Sequence, residues 1–180
     1  MASVDLTNKG GIINNGGGIL KLSECDANGT LTGTDVTTIG YIEVTERFDE
    51  TEETPIYDET GAQIVIQQGN RKVGIVATLM QVDKGVLDFL ETARTKFFRV
   101  YYKASKTSAM NGKTQEVFAA IAKITPSYRF QSNQPKIPVT ISFLAVPAQI
   151  TQTTPNTFWG CITTTTLTFT AGSYYIVSEV

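Results

Sequence analysis

Residues 69–103 place one amphipathic helix between two segments that have the pattern of β-strands. Apolar side chains recur at every second position over 73–79, the spacing that puts them on one face of a strand. Over 83–95 the apolar spacing becomes helical, and Asp83 stands where an N-cap carboxylate accepts hydrogen bonds from the first turn. Aromatic and β-branched residues return at 97–102, as suits a pleated surface. These patterns predict a strand, a helix and a second strand.

No other segment has a convincing helical pattern, whereas alternating apolar residues predict strands over 116–124 and 137–146. A long hairpin is predicted over 40–68, with an acidic loop at 49–61. A lone helix in a β protein typically covers one face of a sheet. We therefore expect a mainly β fold, an antiparallel β-sandwich or barrel flanked by one helix at 83–95.

Composition divides the chain into three parts. Residues 1–18 contain a glycine- and asparagine-rich run that is costly to order, so a flexible N-terminal arm is predicted. Residues 19–147 carry the strand and helix patterns and form the predicted β domain. Residues 148–180 contain no lysine or arginine and many threonines. We predict a C-terminal β-hairpin extension there, turning at Ala171 and Gly172, either added to the domain or reaching a neighbouring subunit.

The chain has a formal net charge of −2, yet it contains two oppositely charged regions. Residues 43–59 carry eight acids and one base, and residues 71–136 carry twelve bases and four acids. The acids predicted to share one surface are Glu43, Glu46, Asp49, Glu50, Glu52, Glu53, Asp58 and Glu59. The bases predicted to form a complementary face are Arg71, Lys72, Arg94, Lys96 and Arg99.

This charge separation favours self-association, in which the acidic hairpin of one copy meets the basic face of another. Two other interpretations explain the same charges: an internal arrangement within one fold, and a solvated hairpin tip. The sequence alone does not separate the three.

The sequence lacks the residues that most enzymes recruit. It contains no histidine, the commonest general base and a frequent metal ligand. No nucleophile elbow, phosphate-binding loop or dinucleotide fingerprint is present. The two cysteines, Cys25 and Cys161, are far apart and do not indicate a disulfide framework. We therefore predict no enzymatic activity, no cofactor and no bound metal.

Charge and hydropathy also exclude two classes of partner. A general nucleic-acid binder is normally basic, which this chain is not. No apolar run approaches the roughly 20 residues of a membrane helix. The first residues lack the positive and apolar regions of a secretion signal, so we expect neither membrane insertion nor secretion.

The order of these elements resembles that of the major tail tube proteins of long-tailed bacteriophages. The resemblance covers residues 19–147 and is carried by three segments. They are the hairpin of 40–68, the strand GNRKVGIVATLM at 69–80 and the helix DKGVLDFLETA at 83–93. The threonine-rich segment 148–180 departs from the compact pattern of the family.

The resemblance implies a β-sandwich or barrel with a flanking helix, whose copies form hexameric rings. Inner strands of neighbouring copies join into one continuous barrel, and stacked rings form a hollow tube through which DNA passes without specific binding. The protein would belong to the virion tail, after assembly in the host cytoplasm. Its partners would be copies of itself and the tape measure, tail tip and terminator proteins.

Two expectations about residues follow from that resemblance. Some of Glu43, Glu46, Glu52 and Glu53 are expected to face the lumen or the seam between rings. Acids lining a lumen repel phosphate, and screening limits the effect to about 8 Å at physiological salt. The loop at 49–61 is expected to contact the next ring.

Other functions remain open at this stage. A tail terminator, or a subunit of a contractile-injection or secretion tube, follows the same fold logic. A monomeric β-sandwich binding module is a different class of function, and it would cluster exposed aromatic residues in a groove. Trp159 is the first candidate for such a groove, although we favour the interpretation that this residue anchors the C-terminal hairpin by hydrophobic contact.

Overall fold

The computed structural model describes residues 17–79, 84–104, 113–127, 137–152 and 166–179. Within these ranges the chain forms nine strands and one helix. In chain order they are β1 (Gly17–Cys25), β2 (Leu31–Tyr57), β3 (Gln63–Leu79), α1 (Lys84–Ala93), β4 (Phe97–Ala104), β5 (Gln115–Pro126), β6 (Ile137–Phe143), β7 (Ile150–Gln152), β8 (Leu167–Phe169) and β9 (Ile176–Glu179). The predicted mainly β fold with a single helix is confirmed.

Six strands pair with one another in a closed ring of antiparallel ladders. Around the ring the order is β4, β1, β2, β3, β6 and β5, and β5 pairs again with β4. Ala122 of β5 lies opposite both Phe98 of β4 and Phe143 of β6, so these two strands occupy opposite edges of β5. Closure removes the unpaired edges that an open sheet would leave, and the result is a small barrel. Strand β9 pairs with the other half of β5, over 115–118.

The main core is built from side chains at alternate positions of these strands. The alternation predicted for 73–79 is confirmed, since Val73, Ile75, Ala77 and Leu79 are all buried. Strand β6 contributes Ile137, Val139, Ile141 and Phe143 in the same way. Helix α1 adds Leu90 and Ala93 to this cluster.

Strand β5 is buried on both of its faces. Val117 and Ala119 belong to the main core, whereas Phe118 and Ala120 belong to a second cluster. The second cluster includes Leu167 and Phe169 of β8, together with Val146, Tyr101 and Ile121. The described part of the C-terminal segment therefore covers the barrel at β5.

The predicted C-terminal hairpin is wrong in its pairing. The chain turns at Ala171 and Gly172, but β8 pairs with β7 and β9 pairs with β5. The two strands that flank this turn separate because β5 offers one free edge and one uncovered apolar face. Strand β9 pairs with the free edge, and β8 packs against the apolar face.

The predicted acidic loop at 49–61 is mostly strand. Strand β2 continues to Tyr57, and the chain turns only over 58–62. Alternation did not indicate this strand because neither face of it is buried, so no apolar residue is required at every second position.

The remaining predictions about secondary structure and single residues lie partly outside the described residues. The predicted arm of 1–18 is described only at Gly17 and Gly18, which begin β1. Asp83, Trp159 and Cys161 lie outside the described residues. The predicted helix of 83–95 is observed over Lys84–Ala93.

Gly74 lies at a close approach between β3 and its neighbours. It lies opposite Phe48 of β2 and Ser142 of β6. A Cβ atom here would lie 2.7 Å from Phe48 Cζ and closer still to the carbonyl oxygen of Ile141. The Phe48 ring thus covers the glycine, and a larger residue has no room.

We predict that Gly74→Ala lowers the free energy of unfolding by about 3 kcal/mol, because an overpacked site must shift the backbone. Gly61→Ala is the matched control: φ is +83° there, and no other atom lies within 4 Å of the added Cβ. It introduces only backbone strain, which costs about 1 kcal/mol. Urea denaturation of both variants measures the difference. Equal losses would show that the contact at Gly74 is not tight.

Candidate functional site

The outer part of the β2–β3 hairpin projects from the barrel. Strand β2 pairs with β1 only as far as Glu43, and β3 pairs with β6 only from Val73 onward. Residues 44–49 still pair with 73–77 of β3, but 50–57 and 63–72 pair only with each other among the described residues. Every side chain in 50–57 and 63–72 is exposed. At strand spacing, the outer ten residues of β3 span about 30 Å. We call 50–72 the projecting ribbon.

The turn of the ribbon is organised by Asp58. Its Oδ1 accepts hydrogen bonds from the Thr60 hydroxyl at 2.6 Å and from the amides of Thr60 and Ala62 at 2.8 and 2.9 Å. Gly61 takes the left-handed conformation that the turn requires, with φ of +83°. The hydrogen bond from the Thr60 hydroxyl has the largest effect on the pKa of Asp58. Together with the bond from the Ala62 amide, it holds this pKa below its usual range.

The turn between β1 and β2 is built in the same way. Asp26 Oδ1 accepts from the amides of Asn28 and Thr30, both at 2.8 Å, and Gly29 has φ of +81°. The segments DANGT and DETGA therefore form equivalent turns. Both ends of β2 are thus closed by an aspartate that is bonded to the backbone of its own turn.

The tip of the ribbon is apolar, which the sequence analysis missed. Its exposed side chains are Ile56 (44%), Tyr57 (57%), Ile64 (61%), Val65 (53%) and Ile66 (48%). Ile56 lies opposite Val65, and the neighbouring pair is Pro55 with Ile66, so successive apolar pairs point to opposite faces. The run of β-branched residues at 64–66, placed beside a turn, was the available signal. We call these five residues the apolar tip.

In the ribbon and at its base, the acids lie on one strand and the bases on the other. The acids Asp49, Glu50, Glu52 and Glu53 belong to β2, and the bases Arg71 and Lys72 belong to β3. Arg71 donates two hydrogen bonds to the carboxylate of Asp49, each at 2.6 Å, and Lys72 forms an ion pair with Glu52. The bond from Arg71, supported by one from Tyr175, holds the pKa of Asp49 below its usual range.

The other predicted acids are placed as follows. Glu50, Glu53 and Glu59 are exposed on the ribbon, as is Glu52. The backbones of Glu43 and Glu46 lie on β2, but their side chains are outside the described part of the structure. The described members of the predicted acidic set thus lie along a single hairpin.

The five predicted bases do not lie together. Arg71 and Lys72 are on β3, whereas Arg94 and Lys96 follow α1. Lys96 forms an ion pair with Glu24 of β1 at 2.7 Å. Arg99 is buried and donates to the backbone carbonyl of the β1–β2 turn. Burial lowers the pKa of Arg99 to about 9.

The described residues hold no group of three or more cysteine and acidic side chains arranged to bind a metal ion. In the same ranges, no helix has the length and apolar character that crossing a membrane requires. The candidate functional site is the projecting ribbon, because its edges are unpaired among the described residues and its tip is apolar and exposed.

Comparison with known proteins gives no relative. No family model matches the chain, and neither the curated proteins nor the solved structures contain a significant match.

We predict that the ribbon turn loosens on acidification. Because the pKa of Asp58 is lowered in the folded state, its contribution is complete above the ordinary aspartate pKa of about 4 and is lost as pH falls through the lowered value. The amide proton shifts of Thr60 and Ala62, followed by NMR, report this transition. Asp58→Asn keeps an acceptor without a titrating charge, so its shifts should stay constant. A midpoint at or above the ordinary value would contradict the prediction.

Proposed function

We propose that this chain is a structural protein that assembles with copies of itself into rings, which stack into the hollow tail tube of a long-tailed bacteriophage. The observation that carries the proposal is the projecting ribbon, which leaves the barrel with both edges unpaired among the described residues and ends in an apolar tip. The tube architecture and the phage origin in this proposal rest on the resemblance of residues 19–147 to tail tube proteins.

The ribbon has the properties of an element that is completed by a partner. A two-stranded hairpin alone is at best marginally stable in water. Its outer edges present N–H and C=O groups that are free to pair with another strand. The apolar tip exposes isoleucine and valine on both faces, and exposed apolar patches mark association sites.

The arrangement of charge favours a second copy as that partner. Ribbons placed side by side would bring the β2 edge of one copy beside the β3 edge of the next. The acids at 50–53 would then face the bases at 71–72 of the neighbour, in addition to the ion pairs within each ribbon. Such a contact joins two different edges, and contacts of this type form a ring when the rotation between successive copies closes.

Stacking and DNA passage complete the proposal. A ribbon of about 30 Å reaches well beyond the barrel that carries it, so in a stacked tube the apolar tip would contact the next ring. The number of six copies, the virion location and the tape measure, tail tip and terminator partners rest on the resemblance alone. Glu50, Glu52 and Glu53 belong to a ribbon that carries five acids and two bases, so in the tube the ribbon would keep a negative net charge that repels phosphate, and DNA would slide without binding.

We predict that concentrated protein forms hollow tubes in negative-stain electron microscopy and that the double variant I64T/I66T does not. Threonine keeps the β-branched shape but removes apolar surface from the tip. Ile19→Thr is the matched control, because Ile19 is 44% exposed on β1 of the barrel. This control should form tubes, and circular dichroism should show that all three proteins fold.

Three results would overturn parts of the proposal. Normal tubes from I64T/I66T would remove the role of the apolar tip. Wild-type rings that never stack would favour a tail terminator. Uniform small particles at every concentration and salt would favour a monomeric binding module instead.

A further inference from the structure

The base of the projecting ribbon is held by a residue far away in the sequence. The Tyr175 hydroxyl donates to Asp49 Oδ2 at 3.1 Å and accepts from Arg47 Nη2 at 3.0 Å. The Arg47 guanidinium also lies over the Tyr175 ring, 4.9 Å from its centroid. One aromatic side chain thus contacts two residues of β2 by three interactions.

The same cluster includes the other strand of the hairpin. Arg71 of β3 forms its paired hydrogen bonds with Asp49, and its guanidinium lies over the Tyr174 ring at 5.1 Å from the centroid. Neighbouring tyrosines therefore hold both strands: Tyr175 contacts β2 and Tyr174 contacts β3.

The segment carrying these tyrosines is attached to the barrel on both sides. Before it, the amide of Val146 donates to the Ser173 carbonyl at 2.9 Å. After it, Ile176 begins β9 and pairs with Phe118 of β5. The Tyr175 ring itself lies 5.9 Å from the ring of buried Phe143. The barrel thus provides a fixed support for the two tyrosines.

The contacts occur where the ribbon leaves the barrel. Asp49 lies opposite Val73, and Val73 is the first residue of β3 that also pairs with β6. Beyond this point the ribbon has no third strand among the described residues, so bending and twisting at the base would swing the whole ribbon. A support at the base therefore restrains the direction of the tip.

We propose that Tyr175 is a positioning residue that fixes the direction in which the projecting ribbon leaves the barrel. Its hydroxyl joins Arg47 and Asp49, and its ring ties them to Phe143. In the proposed tube this direction decides whether the edges of neighbouring ribbons meet, so the effect on assembly rests on the proposed function. The effect on direction does not, because it is a property of the single chain.

The test measures the direction of the ribbon in dilute monomer. Spin labels on Glu59→Cys in the turn and Thr125→Cys on β5 report the distance between ribbon and barrel by double electron–electron resonance. Cys161→Ser removes one native thiol. Cys25 is 4% exposed, and burial raises the pKa of its thiol to about 12, so it stays unlabelled at neutral pH.

Tyr175→Phe removes the hydroxyl and keeps the ring, and we expect it to broaden the distance distribution and shift its mean. Tyr174→Phe is the matched control, since only the ring of Tyr174 takes part in the cluster. This control should retain the narrow wild-type distribution. An unchanged distribution in Tyr175→Phe, with the labels and fold intact, would overturn the inference.

Electron microscopy of the same variants separates this inference from the proposed function. If Tyr175→Phe broadens the distribution and also loses tubes that the control forms, both are supported. If the wild-type chain forms no tubes under any condition, the proposed function fails, while the distance measurement still decides the role of Tyr175.

Discussion

The barrel and the projecting ribbon are made from the same two strands, and this continuity determines the rest of the architecture. Strand β3 pairs with β2 along almost its whole length, but only its second half, from Val73, is also paired with β6. The ladder therefore passes from a fully paired sheet into a two-stranded ribbon without a loop between them. Irregularities in register, such as the one between Thr51 and Glu53, add twist to the ribbon. A contact made by the ribbon is thus transmitted directly to the barrel.

The barrel strands were predictable because each has one face in the core. Alternation identified 73–79 and 137–143, and the helical spacing identified α1. The sequence predicts a loop at 49–57 because a strand with two solvent-exposed faces need not alternate. The C-terminal pairing failed for another reason. Composition indicates strands at β8 and β9, but their pairing with β7 and β5 depends on contacts with distant parts of the chain, which composition does not show.

The candidate site was only partly readable from sequence. Counting charges found the acids of β2 and the bases Arg71 and Lys72. Their pairing with Asp49 and Glu52 depends on the register of the hairpin, which charge counting does not supply. The position of Arg99 was likewise not predictable, because the sequence around a basic residue in an aromatic strand does not indicate that its side chain is buried beneath a turn. The contact of Tyr175 with Asp49 joins residues 126 positions apart, and no local pattern indicates it.

That separation along the chain has a consequence for biosynthesis. The hairpin strands are synthesised long before the tyrosine that supports them, and at translation rates of about 5–20 residues per second the delay is on the order of 10 s. During this interval the nascent chain contains the two hairpin strands but lacks the residue that supports their base. If Tyr175 fixes the ribbon's direction, neighbouring nascent chains on one messenger present misaligned edges to each other. In the proposed assembly, finished subunits alone would then be competent to join, which would protect the polysome from premature polymerisation.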